Sequence, residues 1–279
     1  MLLQVLSWSL SLISIIFVSL ILSSQKVSSS QDIVLPSELK AEARIIRKDR
    51  EGLWEKTLLI TFPTERKTLS TNDGFLEARA VVNHSAHPFI WKDLCEKKKI
   101  GSKVGGKVYM EEIRKKIADI LSIRPKEVAL VATAVDMDNL AVVTKRYEPY
   151  IVTALVTAGA KTNALRAGYD EGHHIEEARG GGTVNIIVLT NAILTESAMA
   201  RAIITVTEAK TSAFQDLKVR SSYSPHLIAT GTGTDSVVVV SGTTGPLVTY
   251  TGGHSKIGEL IAKAVYEAVI LGLKKQDQY

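Results

Sequence analysis

Three apolar runs, "EVALVATAV", "LAVVTKRYE" and "YIVTALVTAG", follow one another between Glu127 and Gly159 with too few residues between them for a crossover helix. A parallel pair needs a connection of a dozen or more residues, so strands this close are expected to pair as antiparallel hairpins. Upstream, "EARIIRKD", "LWEKTLLITF" and "RKTLSTNDGFLEARAVVNH" read as strands with partial alternation, the last folded at its Asn-Asp-Gly turn. They predict a meander. "VYMEEIRKKIADILSI" sets Met110, Ile113, Ile117 and Ile120 near one helical face with charges opposite and Pro125 beyond its end, a helix suited to cover a sheet. Downstream comes one more strand, "TVNIIVLTNA". Two helices follow: "TESAMARAIITVTEAKTSAFQDL", with Thr195 as N-cap and Glu196 in its first turn, and "SKIGELIAKAVYEAVILGL", apolar on most sides. The expected fold is α+β, a mixed, largely antiparallel sheet packed against a few long helices.

The N-terminus differs from the rest. Leu2 to Leu22, "LLQVLSWSLSLISIIFVSLIL", carries no charge, and an apolar helix of that length spans a bilayer core of roughly 30 Å. Its first basic residues, Lys26, Lys40 and Arg44, come after it, which predicts a retained membrane anchor with a cytoplasmic catalytic part; a cleaved signal and secretion are the alternative. The expected organisation is an anchor over 1–24, a Ser-rich spacer over 25–32 and one domain over 33–279, with an internal boundary near Glu148 as the alternative. The net charge of +5 is spread through mixed-sign segments such as "IRKDREGLWEK", without an aromatic-interleaved basic stripe, so no nucleic-acid partner is expected. Cys95 is the lone cysteine, which excludes an intramolecular disulfide and an all-cysteine zinc site.

Residues that could carry chemistry gather at strand ends. "LIATGTGTDSVVVVSG" alternates threonine and glycine from Thr230 through Gly231, Thr232, Gly233 and Thr234 to Asp235, and glycine lets a ligand approach the main chain. Thr162 and Asn163 close one strand, Thr190 and Asn191 another, and a side-chain amide both donates and accepts, as a polyamide ligand requires. Arg201, Thr205, Glu208, Ser212 and Asp216 form a polar stripe at helical spacing, read as a solvated face or a site, with Lys210 off it among apolar neighbours. His173, His174, Glu176 and Glu177 lie in a Gly-flanked segment read as an exposed loop, since no helical metal motif contains them. His254 precedes a helix behind two glycines. Gly242 to Gly245 reads as a reversal that returns "PLVTYTGG" beside "SVVVVSG", so a hairpin is expected to set His254 next to Asp235 as a general-base pair.

In that order, "VTALVTAGAKTNALRAG", "GTVNIIVLTNAILTESAMARAIITVTEAKTSAFQDL", "ATGTGTDSVVVVSG" and "YTGGHSKIGELIAKAVYEAV" resemble the adenosylcobinamide amidohydrolase family of corrinoid salvage. The resemblance runs from about Leu69, at "LSTNDGF", to about Leu273. "DEGHHIEE" looks like an insertion, and "NHSAHPFIWKDL" departs from the family's regular pattern. The resemblance implies hydrolysis of the amide joining a corrin propionate side chain to aminopropanol, giving adenosylcobyric acid. The cobalt would belong to this substrate; no cofactor of the protein's own is expected, and a catalytic metal is left open.

Thr162, Asn163, Asn191, Arg201 and Thr230–Thr234 are then expected to hold the corrinoid, with Asp235, His254 and Glu208 as catalytic groups. Two mechanisms fit. A hydroxyl of Thr232, Thr234 or Ser241 attacks with His254 or Lys210 as base, or water attacks after activation by Asp235, Glu208 or His254. Water is the preferred reading, because no nucleophile-elbow motif occurs. A corrinoid-binding module without catalysis is the alternative function.

Overall fold

Strand β3 (Leu53–Ser70) is long enough to serve two neighbours along one edge. Its first half pairs antiparallel with β2 (Glu42–Arg50), and its last residues pair with β12 (Ser236–Val240), from Thr68↔Val240 to Ser70↔Val238. β4 (Gly74–Ala86) occupies its other edge, with a register shift between Thr61 and Arg66. Pro63 sits inside that shift. Proline has no N–H to give a ladder, so pairing breaks where Pro63, Thr64 and Glu65 are exposed. The computed structural model describes residues 27–50, 52–97, 102–172 and 182–279.

Among the described residues nine strands join in one sheet. The order is β1 (Val27–Ile33), β2, β3, β12, β9 (Val184–Thr190), β7 (Tyr150–Ala158) and β6 (Ala141–Tyr147), with β4 on the second edge of β3 and β5 (Val128–Thr133) beyond it. The pairs β4–β5 and β9–β12 are parallel. Each is joined through helix: α1 (Pro88–Lys97) and α2 (Ser102–Leu121) lie between β4 and β5, and α3 (Glu196–Asp216) lies between β9 and β12. Pairs joined by short turns are antiparallel, as chain reach demands. The expected meander is present as β2, β3 and β4, and β6 and β7 form the expected hairpin. A hairpin of β5 with β6 does not form. The helical crossover delivers β5 to the open edge of β4, and a 3-10 turn at Met137–Asn139 carries the chain on to β6. "NHSAHPFIWKDL", the stretch that departs from the family's regular pattern, is the end of β4 and the start of α1.

Alternation sorts the side chains into layers. In β9, Ile186 and Val188 pack with α3 and with α4 (Lys256–Asp277), while Ile187 and Leu189 enter a second core with Leu58, Ile60 and Val81. A third cluster sets Leu59, Val82 and Leu130 against Ile113 and Ile117 of α2. The curled sheet thus encloses one core and carries helices on its outer faces. Thr195 caps α3, its Oγ1 accepting from Ala198 N at 3.2 Å, and Ser255 caps α4, its Oγ accepting from Gly258 N at 3.1 Å.

The apolar segment Leu2–Leu22, and with it the expected N-terminal helix, lies outside the described residues. Among the described residues no helix is long and apolar enough to cross a membrane. From Val27 the Ser-rich stretch is strand β1, paired with β2. Glu148 falls in the turn between β6 and β7.

Between β3, β4 and α2 the core holds a polar chain. The His84 imidazole lies 2.8 Å from Thr57 Oγ1 on one side and 2.8 Å from the Tyr109 hydroxyl on the other, and Tyr109 donates to Glu55 at 3.2 Å. Burial holds the imidazole pKa down at about 4, against the pull of Glu55 and with a smaller push from Lys116 and Lys48. The unfolded chain binds this proton first. Stability from His84 is therefore complete above about pH 6.5 and is lost as pH falls toward about 4. Urea unfolding should show a loss of about 2 kcal/mol between about pH 7.5 and about pH 5, a slope that His84→Gln removes. An unchanged slope in that variant would assign the acid sensitivity elsewhere.

Candidate active site

Parallel pairing of β9 with β12, in register Asn185↔Ser236, brings the amino ends of both strands together. Asp235 immediately precedes β12, and its Oδ1 accepts from Val184 N, the first amide of β9, at 3.0 Å. α3 runs back along the sheet and delivers Lys210, whose ammonium pairs with Oδ2 although the residue is only 7% exposed. The Thr-Gly loop supplies the remaining donors: Thr232 N to Oδ2 at 3.0 Å, and Thr232 Oγ1 to Oδ1. Four donors thus fill the carboxylate's acceptor positions. The loop is held by β11 (Gly231–Thr232), which pairs with β8 (Ala164–Leu165), and by Thr230 N to Leu165 O at 2.8 Å. Gly231 is required by contact. A Cβ there would meet Lys210 Nζ directly and lie 2.5 Å from Asp235 Oδ2.

Asn163 braces the outer side of the loop. Its buried amide donates to Gly182 O at 3.0 Å and to Thr234 Oγ1 at 3.3 Å, and accepts from the Tyr223 hydroxyl at 3.1 Å. Beneath, Thr183 donates to Thr234 O at 2.7 Å and meets Asn185, whose amide donates to Asn83 Oδ1 at 3.0 Å; Asn83 in turn donates to Thr157 at 2.9 Å. This polar column ties the loop to β4 and β7 inside the core. Sequence reading missed it, although the asparagines interrupting "TVNIIVLT" and "AVVNHSA" were the available signal.

The structure therefore gathers Asn163, Thr230, Gly231, Thr232, Gly233, Thr234 and Asp235 with Lys210, and sets exposed Thr162 on the adjoining turn. It does not bring His254 to Asp235. The expected hairpin fails because Ser236–Val240 is buried on both faces and takes partners on both edges, β3 and β9, which leaves no edge for the returning chain. That chain forms β13 (Leu247–Val248), which pairs in parallel with β10 (Ile193–Leu194) outside the main sheet. Exposed His254 then follows at the carboxyl ends of β9 and β12, beside the start of α4. The 7 residues of β9 place it roughly 20 Å from Asp235.

Asn191 belongs to that far end too. Its Oδ1 accepts from Ile151 N at 2.9 Å and its amide donates to Pro149 O at 2.8 Å, closing the β6–β7 turn. A Cβ on Gly242 would overlap its carbonyl, and Ser241, accepting from Leu194 N at 2.8 Å, is buried nearby. Arg201 is exposed and stacks over Tyr250 at 4.7 Å, Glu208 faces solvent, and Thr205 is buried against Thr251 O at 2.9 Å. The polar stripe of α3 is thus mostly a solvated face. Among the described residues no group of three or more His, Cys, Asp or Glu could hold a metal ion, and residues 173–181 lie outside them.

Comparison with known proteins bears on what such a site serves. The model of the adenosylcobinamide amidohydrolase family matches residues 37–279. The chain belongs to that family. An uncharacterized protein of Methanocaldococcus jannaschii is 46% identical over 237 residues, covering 80% of this chain and 88% of its own. The adenosylcobinamide amidohydrolase of Methanosarcina mazei is 32% identical over 155 residues, 52% of this chain and 66% of its own. As a family member the protein carries its whole Thr-Gly loop, α3, β12 and α4 inside the matched span.

The two glycines of the loop differ in what surrounds them. A Cβ at Gly233 would lie nearest the Asn163 side chain, at 3.1 Å and 3.4 Å, and Leu165 at 3.4 Å. Gly231→Ala should part a buried ion pair and cost roughly 3 kcal/mol, whereas Gly233→Ala should cost no more than roughly 1 kcal/mol. Chemical denaturation of both variants checks this; equal losses would mean that the ion pair does not press on residue 231.

Proposed function

We propose that the protein hydrolyses the aminopropanol amide of adenosylcobinamide, releasing adenosylcobyric acid and aminopropanol. The observation that carries this reading is the joining of a hydroxyl, a carboxylate and an ammonium, Thr232, Asp235 and Lys210, in one hydrogen-bonded group beside exposed Gly233 in a member of this family. Thr234 and Tyr223, both held by the buried Asn163 amide, border the group with hydroxyl functions of the kind that recognise a corrin ring's peripheral carboxamides. Thr162 and Thr230 extend that rim. The corrinoid carries its own cobalt, so that ion is substrate.

Purified protein incubated with adenosylcobinamide should give adenosylcobyric acid and one equivalent of aminopropanol, separated by chromatography. Tight binding with the amide intact would leave a corrinoid-binding module instead.

The uncharged run Leu2–Leu22, followed by Lys26 and Lys40, supports a place at the membrane with the catalytic part in the cytoplasm. Protease added to intact cells should then leave the catalytic part whole. Recovery of a shortened, released protein from the medium would refute the anchor.

A further inference from the structure

We propose that Thr232 is the nucleophile of this site and that hydrolysis passes through an ester between its Oγ1 and the corrin side-chain acyl group. The inference rests on the amidohydrolase reading above and deepens it. Asp235 is badly placed to activate water, because Val184 N, Thr232 N, Thr232 Oγ1 and Lys210 Nζ already occupy its acceptor positions. Glu208 faces solvent on α3, and His254 stands at the opposite end of the strands. Of the four donors to this carboxylate two are main-chain amides and one is an ammonium without a free electron pair; the remaining one, the Thr232 hydroxyl, directs its proton along its hydrogen bond to Oδ1.

The two carboxylate oxygens divide the work. Oδ2 is fixed by Lys210 and by the Thr232 amide, which keeps Oδ1 aimed at the hydroxyl. As Oγ1 bonds to the amide carbon, its proton passes to Oδ1. When the carbon–nitrogen bond breaks, the same proton goes to the departing amine, which leaves neutral, and Asp235 is again a carboxylate. Once Oγ1 is esterified it no longer donates to Oδ1, so that acceptor position opens to water, which attacks the ester from the side the amine has vacated. It gives a proton to Oδ1, and that proton returns to Oγ1 as the acid is released. Net, one amide and one water become one acid and one amine. Lys210 changes no bond; it is a positioning residue.

Among the buried polar groups outside this cluster, His84 and Asn83 are engaged inside the core. Thr234 Oγ1, the neighbouring hydroxyl, donates to a carbonyl, Gly182 O at 2.9 Å, which cannot take its proton. Ser221 and Ser224 also donate to a carboxylate, Asp170, at 2.6 Å and 2.5 Å, but Ser221 Oγ is buried and closes its own turn by accepting from Tyr223 N and Ser224 N. Thr232 stands apart because the base it faces is held by a buried ammonium beside exposed Gly233.

The test uses the full chain with adenosylcobinamide. Thr232→Val should stay folded, with a melting temperature lowered by the loss of its hydrogen bond to a charged carboxylate, keep corrinoid affinity within about threefold in Kd and lose turnover by roughly a thousandfold or more, while Thr232→Ser keeps at least roughly a tenth of it. Acid quench of wild type and of the serine variant during turnover, followed by digestion and mass spectrometry, should place an adenosylcobyryl ester on the peptide containing residue 232, and added hydroxylamine should divert product to the hydroxamate. A merely structural Thr232 would not yield that adduct. A folded Thr232→Val that turns over within tenfold of wild type, or an ester mapped to another side chain, overturns the proposal while leaving amide hydrolysis standing. A wild-type protein that leaves adenosylcobinamide intact removes both.

Discussion

The carboxylate of Asp235 is the point on which the active end depends. It closes the first amide of β9, caps the Thr-Gly loop and neutralises the buried ammonium of α3, so three separate segments share one partner. A surface ion pair such as Arg146–Glu38, with both side chains about half exposed, contributes little, typically below 1 kcal/mol. Lys210–Asp235, with side chains 9% and 14% exposed, is different in kind. Losing either partner leaves a charge in a poorly solvated place, at a cost of about 3–5 kcal/mol. Geometry around Thr232 is accordingly stiff, which is what a reacting hydroxyl requires.

That point exists because of how the chain is routed. A sheet built of hairpins alone would put loops at alternating ends and scatter their side chains. The two helical crossovers make β4–β5 and β9–β12 parallel, and parallel strands align like ends. Asp235 and Val184 meet as the residues entering β12 and β9, and α3, being the crossover itself, must return past the same end carrying Lys210. β3 then joins this unit to the β2–β4 meander, and the Asn185–Asn83 contact pins the two halves together beneath the loop.

Much of this was legible in the residues. Thr195 and Ser255 start the two long helices, the Asn-Asp-Gly turn folds β3 on β4, and the Thr-Gly alternation marks the loop that does converge with Asn163. The misplacement of His254 has a specific cause. Hairpin pairing was inferred from the reversal at Gly242 to Gly245, but "SVVVV" lacks polar alternation, and that is the mark of a central strand with both edges already taken. Lys210 was visible as a charge among apolar neighbours, yet its meaning depended on a partner 25 positions away, which periodicity does not report. The β5–β6 hairpin failed for a related reason: proximity in sequence limits which pairings can form, and competition for open edges decides among them.

The two ends of the parallel unit are closed by opposite chemistry, and the backbone explains why. The amino ends of parallel strands present N–H groups, and here a carboxylate receives them, from Val184 and Thr232. The carboxyl ends present carbonyls, and there the buried guanidinium of Arg66 donates to Ser241 O at 2.7 Å, Leu39 O at 3.0 Å and Thr190 O at 3.4 Å. Burial pushes the Arg66 pKa down, but arginine starts so high that it stays charged. Open α/β sheets usually bind ligands beyond the carboxyl ends of their strands, where loops leave a crevice. In this protein that end is filled by Arg66, Asn191 and the glycines at 242 and 245 packed on its carbonyl. The nucleophile proposed above lies instead at the amino ends, where the carboxylate that satisfies the strand amides also accepts from the Thr232 hydroxyl.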